Sequence, residues 1–316
     1  MLCIETSKEN KSLPIAEIES FCRIRKVRGN LVICSLKNGA GDLHRLAMSK
    51  NVNEVLFCSK DLKELYKKIE GISFKGSFCV RVVSKGKGEG KGKRKTLERD
   101  IGSRIRGEVN LENPQNEFRV FFINDETIFS KKLFSIRENF EGRKATKRPF
   151  FSPVSLHPKI ARAMVNLSRS KSSVLDPFCG TGGILIEAGL MGLKVYGNDI
   201  SRRMVEGCAK NLKFFGVESF ELENRDISEL EFKDLEAIVT DLPYGRSSFT
   251  NKEDLPSLYS RSFKRFHEML APNGRAVVCM DDPRLLKLAK GFKIDSLHEV
   301  YVHRGMKRHI CSLVKK

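Results

Sequence analysis

The stretch LDPFCGTGGILI at residues 175–186 decides the fold. It places a short apolar run and Asp176 directly before a glycine-rich bend, and an apolar helix start follows from Ile184. Val174 and Leu175 are typical of a buried parallel strand, and ligands bind at the carboxyl ends of such strands in doubly wound sheets. The sequence therefore predicts a Rossmann-like α/β domain with a ligand loop after this strand.

The bend carries three glycines, Gly180, Gly182 and Gly183. A loop that passes under the carboxypropyl and sulfonium end of S-adenosylmethionine needs positions without a Cβ atom and with φ free to become positive. A dinucleotide-binding loop instead shows GxGxxG after its strand, and the order here, Asp176, Pro177 and then CGTGG, lacks that triplet. The pattern favours S-adenosylmethionine over a nicotinamide or flavin cofactor.

Two further carboxylates follow later strands. Asp199 comes after the apolar run that starts near Lys194, where an acid can hold a ribose diol through two hydrogen bonds. Asp226 follows the alternating residues 220–222 and can accept from an adenine amino group. We therefore predict Asp199 as the ribose ligand and Asp226 as the adenine ligand. The alternative for both is a solvated loop aspartate, because Asp is common in turns.

A fourth apolar run ends in the motif DLPYG, which begins at Asp241. An exocyclic amine on a nucleobase is a poor nucleophile, because its lone pair is delocalised into the ring. A carboxylate and a main-chain carbonyl can accept both of its N–H bonds, and Asp241 and Leu242 would supply these acceptors. Pro243 would stiffen the bend and the Tyr244 ring would stack on the base. The alternative is an ordinary strand followed by a Pro–Tyr turn.

These motifs carry a family resemblance. DPFCGTGG, an acidic end to the next strand and then DLPY resemble the amino-methyltransferases of exocyclic nitrogens, whose target motif is usually Asp or Asn, Pro, Pro and an aromatic residue. Leu242 departs from that pattern, but its contribution is expected from its backbone. Upstream, RPFFSP from Arg148 and SLHPKIARAMVNL from Ser155 resemble the segment before the cofactor loop in tRNA guanosine-10 N2-methyltransferases.

The resemblance implies a class I methyltransferase domain whose mostly parallel sheet ends in an antiparallel hairpin. It implies transfer of one or two methyl groups from S-adenosylmethionine to N2 of guanosine 10 in tRNA. Ser155 and His157 are implied to contact the cofactor, although a lone His near a helix start is more often a surface or capping residue. The predicted catalytic residues are Asp241, Leu242, Pro243 and Tyr244. The predicted cofactor-binding residues are Asp176, Pro177, Phe178, Gly180, Thr181, Gly182, Gly183, Asp199, Asp226, Ser155 and His157.

The charge distribution agrees with an RNA substrate. The net charge is +19, of which residues 1–150 carry +13 from 32 Lys and Arg against 19 Asp and Glu. Most of the excess therefore lies outside the predicted catalytic half, as expected of a surface that contacts a phosphate backbone.

The first half also resembles known RNA-binding modules. SFKGSFCVRVV from Ser73, RDIG from Arg99 and VNLENP from Val109 resemble a THUMP domain, which holds tRNA in RNA-modification enzymes. The expected α+β organisation is a ferredoxin-like domain at residues 1–65, a THUMP domain at 66–145 and the methyltransferase domain at 146–316. A basic low-complexity loop at 84–95 either contacts RNA or is a solvated hairpin tip. The predicted RNA-binding residues are Arg81, Lys85, Lys87, Lys91, Lys93, Arg94 and Lys95.

Other classes of function are disfavoured. The nine cysteines form no CxxC pattern, so we predict reduced thiols and no metal site. With no long apolar run, the sequence predicts a cytoplasmic protein without a membrane partner. The THUMP-like half disfavours an adenine N6 methyltransferase of DNA. Methylation of another tRNA position or of ribosomal RNA, and a non-catalytic RNA-binding subunit, remain alternatives. The sequence leaves open whether a small activator subunit is a further partner beside tRNA.

Overall fold

A computed structural model describes residues 1–37, 42–83, 91–123, 126–152, 155–244, 253–303 and 306–316, without the side chains at 91, 302, 303 and 306. The chain divides into two units. The first comprises the described parts of Met1–Lys8, Cys22–Ala40 and Ser49–Arg137. The second comprises the described parts of Glu9–Phe21, Gly41–Met48 and Glu138–Lys316. The chain thus enters the second unit three times.

The helices and strands are numbered in chain order. They are β1 (Leu2–Thr6), α1 (Leu13–Phe21), β2 (Cys22–Arg28), β3 (Leu31–Leu36), β4 (Ser49–Ser59), α2 (Leu62–Ile69), β5 (Phe78–Val83), α3 (Lys91–Gly102), β6 (Asn116–Ile123), β7 (Glu126–Ser135), α4 (Pro158–Ser168), β8 (Ser173–Asp176), α5 (Gly183–Leu190), β9 (Lys194–Asn198), α6 (Arg202–Phe214), β10 (Phe220–Glu223), β11 (Leu235–Asp241), α7 (Leu255–Met269), β12 (Leu270–Met280), β13 (Phe292–His303) and β14 (Met306–Lys315). Short 3-10 helices lie at Leu43–Arg45, Glu141–Arg143, Ala145–Lys147, Ile227–Glu229 and Pro283–Leu288.

The first unit is built on one seven-stranded sheet in the order β2-β3-β1-β4-β7-β6-β5. Strand β4 pairs with both β1 and β7, so residues from either side of position 65 share a single sheet. This arrangement differs from the expected boundary between two domains at 65 and 66. The physical reason is that β4, although early in the chain, finds its second partner in a strand more than 60 residues later.

Helix α3 begins at Lys91, inside the stretch 84–95 that the sequence predicts as a loop. Lys and Arg are good helix formers, so the basic run from Lys93 to Lys95 extends the helix instead of lying in a loop. Residues Leu43–Arg45 form a 3-10 turn, which the Asp42 side chain caps by accepting from the His44 N–H.

The second unit contains the predicted α/β sheet, in the order β10-β9-β8-β11-β12-β14-β13. The strands from β10 to β12 are parallel, and β14 joins β12 and β13 in antiparallel register. The predicted fold, a mostly parallel Rossmann-like sheet with an antiparallel C-terminal hairpin, is therefore confirmed.

Strand β11 shows why this sheet is buried on both faces. Ala237 and Val239 pack into the hydrophobic cluster that contains helices α4, α5 and α6, while Ile238 packs into the cluster that contains α7. Successive strand residues point to opposite faces, so a parallel strand covered on both sides is apolar throughout.

Helix α1 is joined to the second unit by a buried carboxylate. The two oxygens of Glu17 accept from the backbone N–H groups of Ala47 and Met48, at 2.7 and 2.8 Å, and Oε1 also accepts from Nδ2 of Asn166 at 2.7 Å. Burial raises the pKa of Glu17 above its ordinary value despite these donors. Residues 9–21 and 42–48 therefore belong structurally with helix α4. None of the described helices is long and apolar enough to cross a membrane.

Candidate active site

A cavity of about 210 Å³ opens at the carboxyl ends of the parallel strands of the second unit. Parallel neighbours end at one edge of a sheet, so the loops after β8, β9, β10 and β11 converge there. The predicted site residues among its lining are Asp176, Pro177, Phe178, Gly180, Thr181, Gly183, Asp199, Asp226, Asp241, Leu242, Pro243, Tyr244 and Ser155. The structure thus brings together residues that lie far apart in the chain.

The glycine loop has the backbone that its sequence predicts. Gly180 and Gly182 have φ values of +51° and +81°, which residues other than glycine rarely adopt. A Cβ atom at Gly180 would meet no other atom within 4 Å, so this part of the loop borders open space. A Cβ atom at Gly182 would lie 2.6 Å from Sγ of Cys208, so Gly182 is also required for packing against helix α6.

Asp176 ends β8 as a buried carboxyl group. Its Oδ1 atom accepts from the Thr240 hydroxyl at 2.6 Å and from the Phe178 N–H at 3.1 Å. Burial is the main reason that the pKa of Asp176 is raised to about 8; the hydrogen bonds from Thr240 and Phe178 oppose this shift, and the nearby carboxylates of Asp241 and Asp199 add to it. A group that titrates near neutrality beside a ligand cavity responds readily to a cationic ligand.

Asp199 links the second strand to the glycine loop. Its Oδ2 atom accepts from the Gly180 N–H at 3.0 Å, and its Oδ1 atom accepts from the Ser201 N–H at 2.9 Å. Burial raises its pKa, although these two donors oppose the shift. A carboxylate oxygen can accept more than one hydrogen bond, so both oxygens keep capacity for hydroxyl groups.

Asp226 caps the 3-10 helix Ile227–Glu229 and pairs with an arginine. It accepts from the Ser228 N–H at 2.9 Å, and Arg261 donates to both of its oxygens. Burial alone would raise the pKa of Asp226, but its hydrogen bonds with Arg261 and Ser228 lower it overall. Arg261 also contacts Glu253, with Nη2 and Oε2 2.7 Å apart. Asp226 is therefore a fixed, charged acceptor at the edge of the cavity.

The DLPY segment is anchored by its backbone. The Leu242 N–H donates to the Cys279 carbonyl at 2.9 Å, and the Tyr259 hydroxyl donates to the Pro243 carbonyl at 2.9 Å. The Leu242 side chain is fully buried. Gly245, the last residue of the motif, lies outside the described residues. An apolar side chain at 242 is thus accommodated by the core, in a position where related motifs carry proline.

Three side chains meet at the end of β11. The Tyr244 hydroxyl donates to Oδ1 of Asp241, and Nη1 of Arg308 lies 3.3 Å from Oδ2. The Arg308 guanidinium also lies 5.1 Å from the centre of the Tyr244 ring. Burial raises the pKa of Asp241, and Arg308 opposes this shift. The Tyr244 hydroxyl therefore occupies one of the two oxygens of the carboxylate that the sequence predicts as the acceptor.

His157 lies apart from the other predicted cofactor ligands. Its Nδ1 atom caps helix α4 by accepting from the Lys159 N–H at 3.2 Å, and Nε2 is 3.4 Å from Oε1 of Glu141. His157 lines a second cavity of about 480 Å³, which shares Ser155 and Leu156 with the first. The capping alternative therefore describes His157 best.

The predicted RNA-binding residues belong to the first unit. Lys93, Arg94 and Lys95 are exposed on helix α3, and Arg81 donates to the Leu111 carbonyl at 2.7 Å. Lys85 and Lys87 lie outside the described residues, as does the side chain of Lys91.

Sequence reasoning missed three arginines as site residues: Arg148, Arg261 and Arg308. Arg148 is buried behind the glycine loop, where Nη1 donates to the hydroxyls of Ser155 at 2.8 Å and Thr181 at 3.1 Å. The sequence carries no signal for Arg308, because β14 also contains Lys307, His309 and Lys315, so one more charged residue in this strand does not stand out.

The cavity fits S-adenosylmethionine. Gly180 leaves open space for a ligand, Asp199 and Asp226 offer acceptors for hydroxyl and amino groups, and Asp176 offers a carboxyl that a positive charge would ionise. A Rossmann-like sheet with these features at its strand ends defines an S-adenosylmethionine-dependent methyltransferase.

Comparison with known proteins identifies the family to which this methyltransferase belongs. The RMKL-like methyltransferase domain, UPF0020, matches residues 145–310. The chain is 38% identical to the tRNA (guanine(10)-N2)-dimethyltransferase of Methanothermobacter thermautotrophicus, covering 96% of each chain. It is 35% identical to the enzyme of that name from Pyrococcus abyssi, covering 93% of each. The chain belongs to the tRNA (guanine(10)-N2)-dimethyltransferase family. Its fold is similar to TrmN of Thermus thermophilus, with a TM-score of 0.54, 20% identity, and 100% and 99% of the two chains covered.

Proposed function

We propose that the enzyme methylates N2 of guanosine 10 in tRNA, with the Asp241 carboxylate as the acceptor that orients the reacting amine. The observation that carries this proposal is the position of Asp241 in the cofactor cavity, at the end of the strand next to β8. The relatives named for this reaction share almost the whole length of the chain.

The second cavity is the proposed place for the target nucleoside. It shares Ser155 and Leu156 with the cofactor cavity, and Cys279 and Arg308 line it next to Asp241. Apolar walls from Ile160, Val300 and Ile310 suit a flat base. A base stacked in a tRNA helix must leave the stack to reach such a cavity, at a cost of about a few kcal/mol that backbone contacts offset.

The proposed chemistry needs orientation more than proton transfer. S-adenosylmethionine, when bound, would supply the methyl group: a bond would form between N2 and the methyl carbon while the carbon–sulfur bond breaks with its electron pair kept on sulfur. Asp241 accepts one N–H bond of the amine and the Leu242 carbonyl accepts the other, which directs the nitrogen lone pair toward the methyl carbon. The surplus proton then leaves N2 along its hydrogen bond to Asp241.

Each predicted ligand has a proposed role. Asp199 holds the ribose hydroxyls, Asp226 accepts from the adenine amine and Asp176 faces the positive charge of the cofactor. Ser155, fixed by Arg148, completes the wall. The loop from Pro177 to Gly183 surrounds the methionine part of the cofactor.

The first unit is the proposed tRNA-binding part. Exposed Lys93, Arg94 and Lys95 on α3 and the charge of +13 on residues 1–150 support contacts with phosphates. We propose a THUMP-type role for this unit, a cytoplasmic site of action because tRNA is the substrate, and a small activator subunit as an optional partner. Transfer of a second methyl group would follow where the cavity leaves room for monomethylated N2.

Incubation with labelled S-adenosylmethionine and unmodified tRNA tests the function. We expect N2-methylated guanosine at position 10 by nucleoside mass spectrometry, and loss of turnover with retained tRNA binding in Asp241→Ala. Label at another tRNA position or only in ribosomal RNA would assign a different substrate to the same chemistry. If S-adenosylmethionine binds but no RNA is labelled, with or without an activator subunit, the proposed activity is wrong and the RNA-binding alternative stands.

A further inference from the structure

Arg308 is a buried cation that contacts two residues of the catalytic segment. It lies on β14 with 6% of its surface exposed, and it contacts both Oδ2 of Asp241 and the face of the Tyr244 ring. It also lines the second cavity. Arg308 is therefore within reach of both the acceptor carboxylate and the proposed nucleoside cavity.

The surroundings of Arg308 are costly for stability. Its Nε atom is buried and has no hydrogen-bond partner among the described residues. An unsatisfied buried donor lowers stability, and an apolar side chain of similar volume would avoid that loss. Such a group in a native structure calls for an explanation.

The state of Tyr244 supplies that explanation. Its hydroxyl donates to the same carboxylate that is proposed to accept the target amine. If the amine takes the position at Oδ1 of Asp241 that the hydroxyl occupies, nucleoside binding exchanges one donor for the other. Until the amine is in place, Asp241 lacks one of the donors that favour its charged form, whereas the contact with Arg308 at Oδ2 remains available.

We propose that Arg308 is a positioning residue, which keeps Asp241 a charged acceptor while the Tyr244 hydroxyl gives way to the nucleobase amine. This inference rests on the proposed function. Arginine remains protonated at any pH of interest, so its effect on Asp241 does not titrate.

The charged and titratable groups around Asp241 set the direction of the expected effect. Those facing it are Arg308 on β14, Cys279 on β12, Asp176 at the end of β8, Tyr259 on α7 and Tyr244 in the same segment. Burial raises the pKa of Asp241, and Arg308 is the largest influence that lowers it. Removal of the Arg308 charge therefore moves protonation of Asp241 to higher pH.

The test is the pH dependence of methyl transfer by the full-length protein. We expect Arg308→Met to move the acid limb of the kcat profile upward by about one to two pH units. Arg308→Lys keeps a positive charge, so its limb stays near that of the wild type. The matched control is Arg275→Met, which removes an arginine on neighbouring β12 that pairs with Asp295 at 2.7 Å. That control leaves the limb in place.

A second variant tests the exchange itself. The kcat/KM profile reports groups in the free enzyme, and the kcat profile reports groups in the complex. Tyr244→Phe removes the hydroxyl that is displaced in the complex. It should therefore move the acid limb of kcat/KM upward and leave the limb of kcat unmoved, whereas Arg308→Met moves both.

The proposal is overturned if Arg308→Met lowers the rate equally at every pH or does not change it. A merely structural role would leave the acid limb of the kcat profile at the same pH. Infrared titration of the Asp241 carboxyl, identified by its absence in Asp241→Asn, gives a readout that needs no activity. The band should titrate at higher pH in Arg308→Met than in the wild type, and an unshifted band overturns the proposal.

If Arg308→Met fails to bind S-adenosylmethionine, Arg308→Lys and Tyr244→Phe carry the test. Failure of the proposed function shows separately, as a wild type that methylates no tRNA.

Discussion

The hydroxyl of Thr240 donates a hydrogen bond of 2.6 Å to Oδ1 of Asp176. This contact joins the ends of β11 and β8, which are neighbours in the sheet. The catalytic segment and the glycine loop are therefore connected through one buried carboxyl group. Any change in the charge of Asp176 acts on both halves of the site.

Asp176→Asn should stabilise the protein while weakening cofactor binding. The pKa of Asp176 is about 8 in the folded protein, against an ordinary value of 3.8. Between these pH values the unfolded chain is ionised and the folded chain is not, so unfolding releases a proton and stability falls as pH rises. Asn cannot ionise, yet its Oδ1 can still accept from Thr240.

The measurement is thermal unfolding from pH 4 to pH 9. The melting temperature of Asp176→Asn should exceed that of the wild type by a margin that grows up to about pH 8, where the difference in the free energy of unfolding reaches the order of a few kcal/mol. Calorimetry should show weaker binding of S-adenosylmethionine. A constant difference across this pH range would contradict the assigned titration.

Alanine at the two positive-φ glycines should have graded effects. Gly180→Ala adds backbone strain of about 1 kcal/mol but no clash, because no atom lies near its Cβ position. Gly182→Ala adds similar strain and a contact of 2.6 Å with Sγ of Cys208. Denaturant unfolding should show the larger loss for Gly182→Ala. The double variant with Cys208→Ala should recover only the part due to the clash, and full recovery would show that φ is unimportant there.

Arg261→Met should weaken cofactor binding without slowing chemistry. Arg261 holds Asp226 through both oxygens and lowers its pKa. Loss of this orientation removes a binding contact that is the same in ground and transition states, so KM for S-adenosylmethionine should rise about tenfold with kcat little changed. Arg284→Met is the control, since Arg284 forms an exposed pair with Asp282. A fall in kcat at saturating cofactor would place Arg261 in the chemical step.

Glu17→Ala should destabilise the catalytic unit from a distance. It leaves the N–H groups of Ala47 and Met48 and the Asn166 amide without their acceptor. Each buried donor left without an acceptor costs about 1–3 kcal/mol, so the free energy of unfolding should fall by about 3 kcal/mol or more. Glu19→Ala on the exposed side of the same helix is the control. Equal melting temperatures for the two variants would remove Glu17 from the account of the fold.

The sheet and the cofactor loop were predictable because their signals are local. An apolar run, an acid and glycines within residues 175–186 specify a strand, a turn and a helix start. The acids at 199, 226 and 241 each follow a strand, and parallel strands bring their ends together. Four short patterns therefore place most of the cavity wall.

The arginines were not predictable, because their roles depend on contacts between distant segments. Arg308 meets Asp241 from 67 residues away, and Arg261 meets Asp226 from 35. The sequence shows that an arginine is present but does not indicate which carboxylate it contacts. The division of residues 1–65 between the two units was not predictable for the same reason, since Glu17 contacts Asn166 from 149 residues away.

The contact between Glu17 and Asn166 has a consequence for how the protein is made. Helix α1 leaves the ribosome early, but its partner on α4 is synthesised 149 residues later. At a typical rate of about 5–20 residues per second, its buried carboxylate waits several seconds or longer for this donor. The methyltransferase unit therefore completes its folding only after the other unit has been translated.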